Sequence, residues 1–231
     1  MSAHHDDCLE LLASAADDAK LAAIERRRFL RFGGVAAGAA AVALSGGEAL
    51  AQSVPATGPR QQMSLVRRHE NDHVAFLVAG LGAAARPKPT FQGLQQANLN
   101  SFLTVAAALE NTGVGAYLGA APAIFDPGYL GAAASIALVE ARHAGFFNSL
   151  RSKPMTLNAL GSELSFDEAF TVAQVTNAAG GFIASLNGGP PLSYSTTRSA
   201  ANDIDILNFA LGLEYLEAEF YNVNVPLFYG V

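Results

Sequence analysis

The sequence predicts an all-α fold built as a bundle of four long helices. Apolar residues recur at helical spacing in four long runs, and the Val- and Ile-rich alternation that strands need is scarce. Proline- and glycine-rich stretches separate those runs. Residues 52–60, QSVPATGPR, read as a linker. From Gln61 to about Ala85, Leu65, Val66, His73, Phe76, Leu77 and Leu81 follow the helical period. Pro87 and Pro89 stop this run, because proline lacks the amide hydrogen and clashes with the preceding turn. A second run extends from about Gln95 to Leu118 and ends near Pro122. In FDPGYL, Pro127 suits the first turn of a third run, Tyr129 to Leu150. Residues 151–201 are less regular, with Ser165, Phe166, Asp167 and Glu168 forming a capping-box pattern before a shorter helix. The last run, NDIDILNFALGLEYLEAEFYN, takes Asn202 or Asp203 as its N-cap and continues to about Asn222.

Residues 1–51 read as an address. Arg26, Arg27, Arg28, Phe29, Leu30 and Arg31 resemble the twin-arginine export signal of bacteria. The Gly/Ala-rich stretch from Phe32 to Leu44 has the length of a signal core and is short for a membrane span. Ala49, Leu50 and Ala51 offer small residues for cleavage before Gln52. The resemblance implies export to the periplasm of a chain already folded, which suits a protein carrying metal. Cleavage there would remove Cys8, the sole cysteine, so any metal site must use nitrogen and oxygen. It would leave nine basic and thirteen acidic residues, a net charge of about −4 with His neutral. Such a chain has nothing with which to grip phosphates, and nucleic acid is excluded as a partner.

The chemistry lies in charged residues inside apolar helices. RRHENDHVAFL carries Glu70 and His73, and VEARHAGFF carries Glu140 and His143. Positions three apart share a helix face, so each Glu-x-x-His can present an oxygen and a nitrogen to one ion. Glu110 and Glu214 lie in the two other long runs. Together they make four carboxylates and two imidazoles, the ligand set of the ferritin-like di-metal bundle. Such a set suits iron or manganese, with zinc also compatible. Glu110 precedes Tyr117 by seven residues and Glu214 precedes Tyr221 by seven, which sets each tyrosine on its glutamate's face. The tyrosines are expected to hydrogen-bond and orient ligand carboxylates. Glu217, one turn after Glu214, is the alternative ligand on that helix, and the spacing to Tyr221 favours Glu214. His69 precedes Glu70 and is expected at the surface. Four buried glutamates would each cost on the order of several kcal/mol unless neutralised, and these helices hold few cations to do so.

DIDILNFALGLEYLEAEFY, LENTGVGAYLGAAPAI and AASIALVEARHAGFFNSL resemble the helices of the exported ferritin-like family that includes the desiccation-related proteins. The resemblance spans most of residues 61–152 and 202–222. It implies a ferritin-like four-helix bundle over residues 61–231 with a di-iron or dimanganese centre. In that family the ILNFALGLEYLEAEFY helix comes first, whereas here it comes last. The chain therefore looks circularly permuted. Exchange of this helix between protomers, or an artificial rearrangement of the chain, would give the same order.

The function expected is an exported di-metal protein reacting with O2 or peroxide, as a ferroxidase, oxidase or peroxide-removing protein. The alternative is a stress-protective envelope protein whose metal only holds the fold. GVGAYLG sits inside a helix and reads as close packing rather than a phosphate cradle, which argues against a nucleotide cofactor. Phe228 and Tyr229 in the apolar tail could dock a second copy in a homo-oligomer, or pack on the end of their own bundle.

Overall fold

A computed structural model of the chain describes residues 58–231. The export signal and most of the linker lie outside the described residues. Five helices are present among them: α1 (Pro59–Leu81), α2 (Leu99–Ala120), α3 (Pro127–Leu150), the short α4 (Val172–Ala179) and α5 (Ala200–Tyr229). Helices α2 and α3 pack along their lengths, as do α1 and α5, and the two pairs close into a bundle. Arg60 reaches Gly230 at one end of the α1–α5 pair and Arg86 reaches Asn208 near the other, so these helices run antiparallel. Gln96 and Tyr117 meet Asn224 and Glu214 in turn, which makes α2 antiparallel to α5 and parallel to α1. The connection from α1 to α2 must therefore travel the length of the bundle. On the way it pairs with the return segment through a two-stranded antiparallel ladder, β1 (Thr90–Phe91) with β2 (Ile183–Ser185).

Local signals set the helix starts. Asn98 caps α2 in a reciprocal box with Ser101, and Asp126 caps α3 by accepting from Gly128 and Tyr129 amides with Pro127 at the first helical position. The short helix starts later than the Ser165–Glu168 pattern predicts. Thr171 and Gln174 form the capping box instead, while residues 165–170 are irregular and Phe170 lies on α2. A carbon added at Gly119 would sit 1.9 Å from the carbonyl oxygen of Phe170, and the Phe170 amide donates to Gly115. Gly115 and Gly119 thus admit this segment against α2. They serve close packing, but of a loop on a helix.

Helix α5 differs from expectation at both ends. Ser199 caps it, because Asn202 and Asp203 are committed elsewhere: Asn202 binds the backbone of Ser195, and Asp203 accepts the amides of Phe125 and Asp126. At its other end the helix continues through Pro226 to Tyr229 and stops at Gly230, whose φ of 66° is left-handed. Phe228 and Tyr229 pack on Phe102, 5.5 and 6.3 Å between ring centroids. That contact on the end of its own bundle supports the extra turn despite the proline's lost hydrogen bond.

Two apolar clusters fill the interior. One holds Phe102, Phe147, Phe220 and Tyr221, the other Leu77, Leu81, Tyr117, Tyr129 and Leu211. Between them lies a polar layer.

Candidate metal centre

That layer contains Glu70, Glu110, Glu140 and Glu214, each no more than 1% exposed, one from each long helix. His73 and His143 complete it. The six residues fall into two overlapping groups: Glu70, His73, Glu140 and Glu214, then Glu70, Glu110, Glu140 and His143. Within each group one donor atom per residue lies within 4.8 Å of all the others. Glu70 and Glu140 belong to both. His73 Nδ1 lies 3.1 Å from Glu70 Oε2, 3.1 Å from Glu140 Oε1 and 3.2 Å from Glu214 Oε2. His143 Nδ1 lies 2.8 Å from Glu70 Oε1 and 3.2 Å from Glu110 Oε2. Each imidazole thus turns the same nitrogen to the carboxylates, as an approximate twofold axis would require.

The tyrosines pair crosswise. Tyr117 on α2 donates to Glu214 Oε1 on α5 at 2.5 Å, and Tyr221 on α5 donates to Glu110 Oε1 on α2. The seven-residue spacing sets each tyrosine on the correct face, and the antiparallel pairing of α2 with α5 hands it to the other helix's glutamate. Glu217 is buried but belongs to neither group. It lines a small cavity with Leu109, Thr112, Gly113, Ala179, Leu213 and Leu216. His69 is not the free surface residue expected. Its Nδ1 lies 3.0 Å from His143 Nε2, and the two rings are parallel within 5°. Nothing in α1 alone signals this contact, because it depends on α3 lying alongside.

The like charges of this layer oppose one another. Burial raises the Glu140 carboxyl well above the ordinary range, and the charges of Glu70, Glu217, Glu110 and Glu214 raise it further. Glu217 is pushed up for the same reasons, burial first and then Glu214, Glu110 and Glu70. Burial would lower the imidazolium of His73, but its hydrogen bonds to Glu214 and Glu70 outweigh that and hold it at about 11. His143 is held at about 10 against the same desolvation by Glu110 and Glu70. Burial would raise Glu70, yet the two imidazoles prevail and keep it down at about 2. Burial and the adjoining glutamates push both tyrosine hydroxyls well up, so they remain donors. His69 is lowered, first by partial burial and then by the neighbouring His143, which fits a neutral acceptor.

The donor set fits a pair of hard divalent ions. Both oxygens of Glu140 and Oε1 of Glu70 are buried without a well-formed hydrogen bond; His73 and His143 Nδ1 stand near the two Oε1 atoms but are poorly aimed at them, and Glu140 Oε2 has no donor near it. Buried carboxylate oxygens without good donors are expensive, and these belong to the two residues shared by both groups. Two cations between the groups would satisfy all three.

The model of the ferritin-like domain family matches residues 21–153 and 202–228. The chain belongs to this family. The match breaks where the irregular 154–201 segment intervenes and resumes in α5, and it begins inside the stretch read as an export signal. Searches among curated proteins and among solved structures found no match. Family, helical bundle and carboxylate–histidine cluster together fit a di-metal protein.

Proposed function

We propose that this is an exported di-metal carboxylate protein that holds two iron or manganese ions and reacts with O2 or peroxide. The observation that carries the metal assignment is the set of buried oxygens on Glu70 and Glu140 without a well-formed hydrogen bond. These two glutamates, shared by both groups, would help to hold both ions. Glu110 with His143 would complete one position, and Glu214 with His73 the other. Tyr117 and Tyr221 hold the outer carboxylates in orientation through their hydroxyls. When bound, the ions supply one-electron redox chemistry toward a small oxidant. Access favours the histidine edge, since the His73 side chain is 11% and the His143 side chain 7% exposed while the ligand glutamates are sealed. The permuted helix order and the likeness to desiccation-related proteins belong to the same reading, with export resting on Arg26 and Arg27.

The test is elemental analysis of the purified chain after expression with iron or manganese, followed by assays of O2 and peroxide consumption. Glu140→Ala should strip both ions and His143→Ala the ion of its own group, while the circular dichroism stays helical, because loss of one ligand leaves its partners poorly coordinated. Full occupancy in both variants would remove α3 from the site. Metal without turnover would favour the stress-protective alternative. Replacing Arg26 and Arg27 by lysine should block export while expression continues, and an exported double-lysine variant would refute the twin-arginine reading.

A further inference from the structure

The two halves of the centre repeat the same motif, yet they are not equivalent. Glu70 and His73 on α1 match Glu140 and His143 on α3, so the residue before the glutamate is His69 in one copy and Val139 in the other. His69 reaches across to His143, the histidine of the opposite copy. By the same register Val139 is the residue that would face His73, and an isopropyl group can neither donate nor accept. Among the described residues no group hydrogen-bonds His73 Nε2, whose ring is engaged through Nδ1 alone. His143 offers Nδ1 to Glu70 and Glu110, which leaves Nε2 to carry the proton when Nδ1 serves as a ligand. Nε2–H then donates to Nδ1 of His69. That hydrogen bond selects the tautomer, fixes the plane of the ring and makes Nδ1 a stronger donor toward a metal.

We infer that His69 is a positioning residue that makes the two metal positions unequal, tightening the one at His143 over the one at His73. This rests on the di-metal reading above. The effect of losing such a partner is about 10–100-fold in metal affinity.

The test titrates the metal-free chain with Co(II), read by its visible spectrum, and with Mn(II) by equilibrium dialysis. His69→Ala should weaken the tighter position about 10–100-fold. His69→Asn, whose amide oxygen can accept the same hydrogen bond, should restore most of the loss. Because Glu70 and Glu140 couple the positions, the same change is also measured with each position isolated. It should weaken binding in the His73→Ala background, which keeps the His143 position, and leave the His143→Ala background unmoved. An equal loss in both backgrounds, or a loss that His69→Asn does not restore, would reduce His69 to a packing residue and overturn the inference. Uptake unchanged by His69→Ala overturns it as well while leaving the centre intact. A wild-type chain that takes up neither ion overturns the centre and this assignment with it.

Discussion

The α1–α3 pair and the α2–α5 pair contribute to one polar layer in different ways. Helices α1 and α3 bring the histidines and the two shared glutamates, and their imidazoles retain a little exposure. Helices α2 and α5 bring one glutamate each, both buried and each tied to a tyrosine hydroxyl from the opposite helix. The first pair is chemically adjustable, since its donors carry charge contacts and oxygens without a well-formed hydrogen bond. The second is mechanically fixed. A dinuclear centre needs both: rigid outer carboxylates that set the spacing, and an accessible edge where ligands can change.

That contrast breaks most severely if the fixed side is removed. Deleting residues 202–231 takes away most of α5, with Ile206, Leu207, Phe209, Leu211, Leu213, Leu216, Phe220, Tyr221 and Val225 all buried. At roughly 1.5–3 kcal/mol each, this matches or exceeds a domain's usual net stability of about 5–15 kcal/mol. The truncated chain should aggregate or lose cooperative unfolding, whereas Glu214→Ala should keep the fold and lose metal. A soluble, cooperatively folded, metal-loaded truncation would place α5 outside the bundle.

Smaller and more selective effects should follow from the tyrosines. Tyr117→Phe and Tyr221→Phe each remove one hydroxyl from a buried carboxylate and leave the ring in its apolar cluster. Each should lower metal affinity about 10–100-fold and cost about 1–3 kcal/mol of stability in denaturant titration. The crosswise pairing sharpens the expectation. Tyr117→Phe should disturb the position that includes Glu214 and His73, and Tyr221→Phe the one that includes Glu110 and His143. A reversed pattern in Co(II) spectra would mean that each tyrosine serves the glutamate on its own helix.

Much of this is legible in the chain because buried charge is conspicuous. Glutamates and histidines at three-residue spacing in alanine-rich runs stand out, and their gathering in one layer follows once four helices pack. What the chain conceals depends on neighbours. His69 looks like one more polar residue in RRHEND until α3 lies beside it, and the exchange of tyrosines requires knowing that α2 and α5 are antiparallel. Capping departs from the local pattern where a competing partner outbids the helix: Asp203 holds the Phe125 and Asp126 amides, so Ser199 takes the cap. Pro226 resembles a stop, but aromatic contacts with Phe102 lie beyond it and the helix continues to reach them. The two-residue strand Thr90–Phe91 is too short to produce an alternating pattern.

The smallest effect, and the finest probe of the adjustable side, is Gly113→Ala. This glycine on α2 faces the gap between two buried carboxylates. A β-carbon there would sit 3.1 Å from Glu140 Oε2 and 3.4 Å from Glu217 Oε1, close enough that one of them must yield by a few tenths of an ångström. Alanine also favours the helix by about 1 kcal/mol over glycine. In the metal-free chain Glu140 Oε2, the oxygen the methyl meets, receives no hydrogen bond and can move aside, so the helical gain should survive and the melting temperature should rise slightly or hold. With ions bound, Glu140 as a ligand common to both groups would be held in place, and the same methyl should cancel the gain. The separation in melting temperature between the Mn(II)-loaded and metal-free protein should therefore be smaller in Gly113→Ala than in the native chain. An equal separation in the two proteins would mean that Glu140 is as free with metal present as without it, and its role as a ligand would be lost.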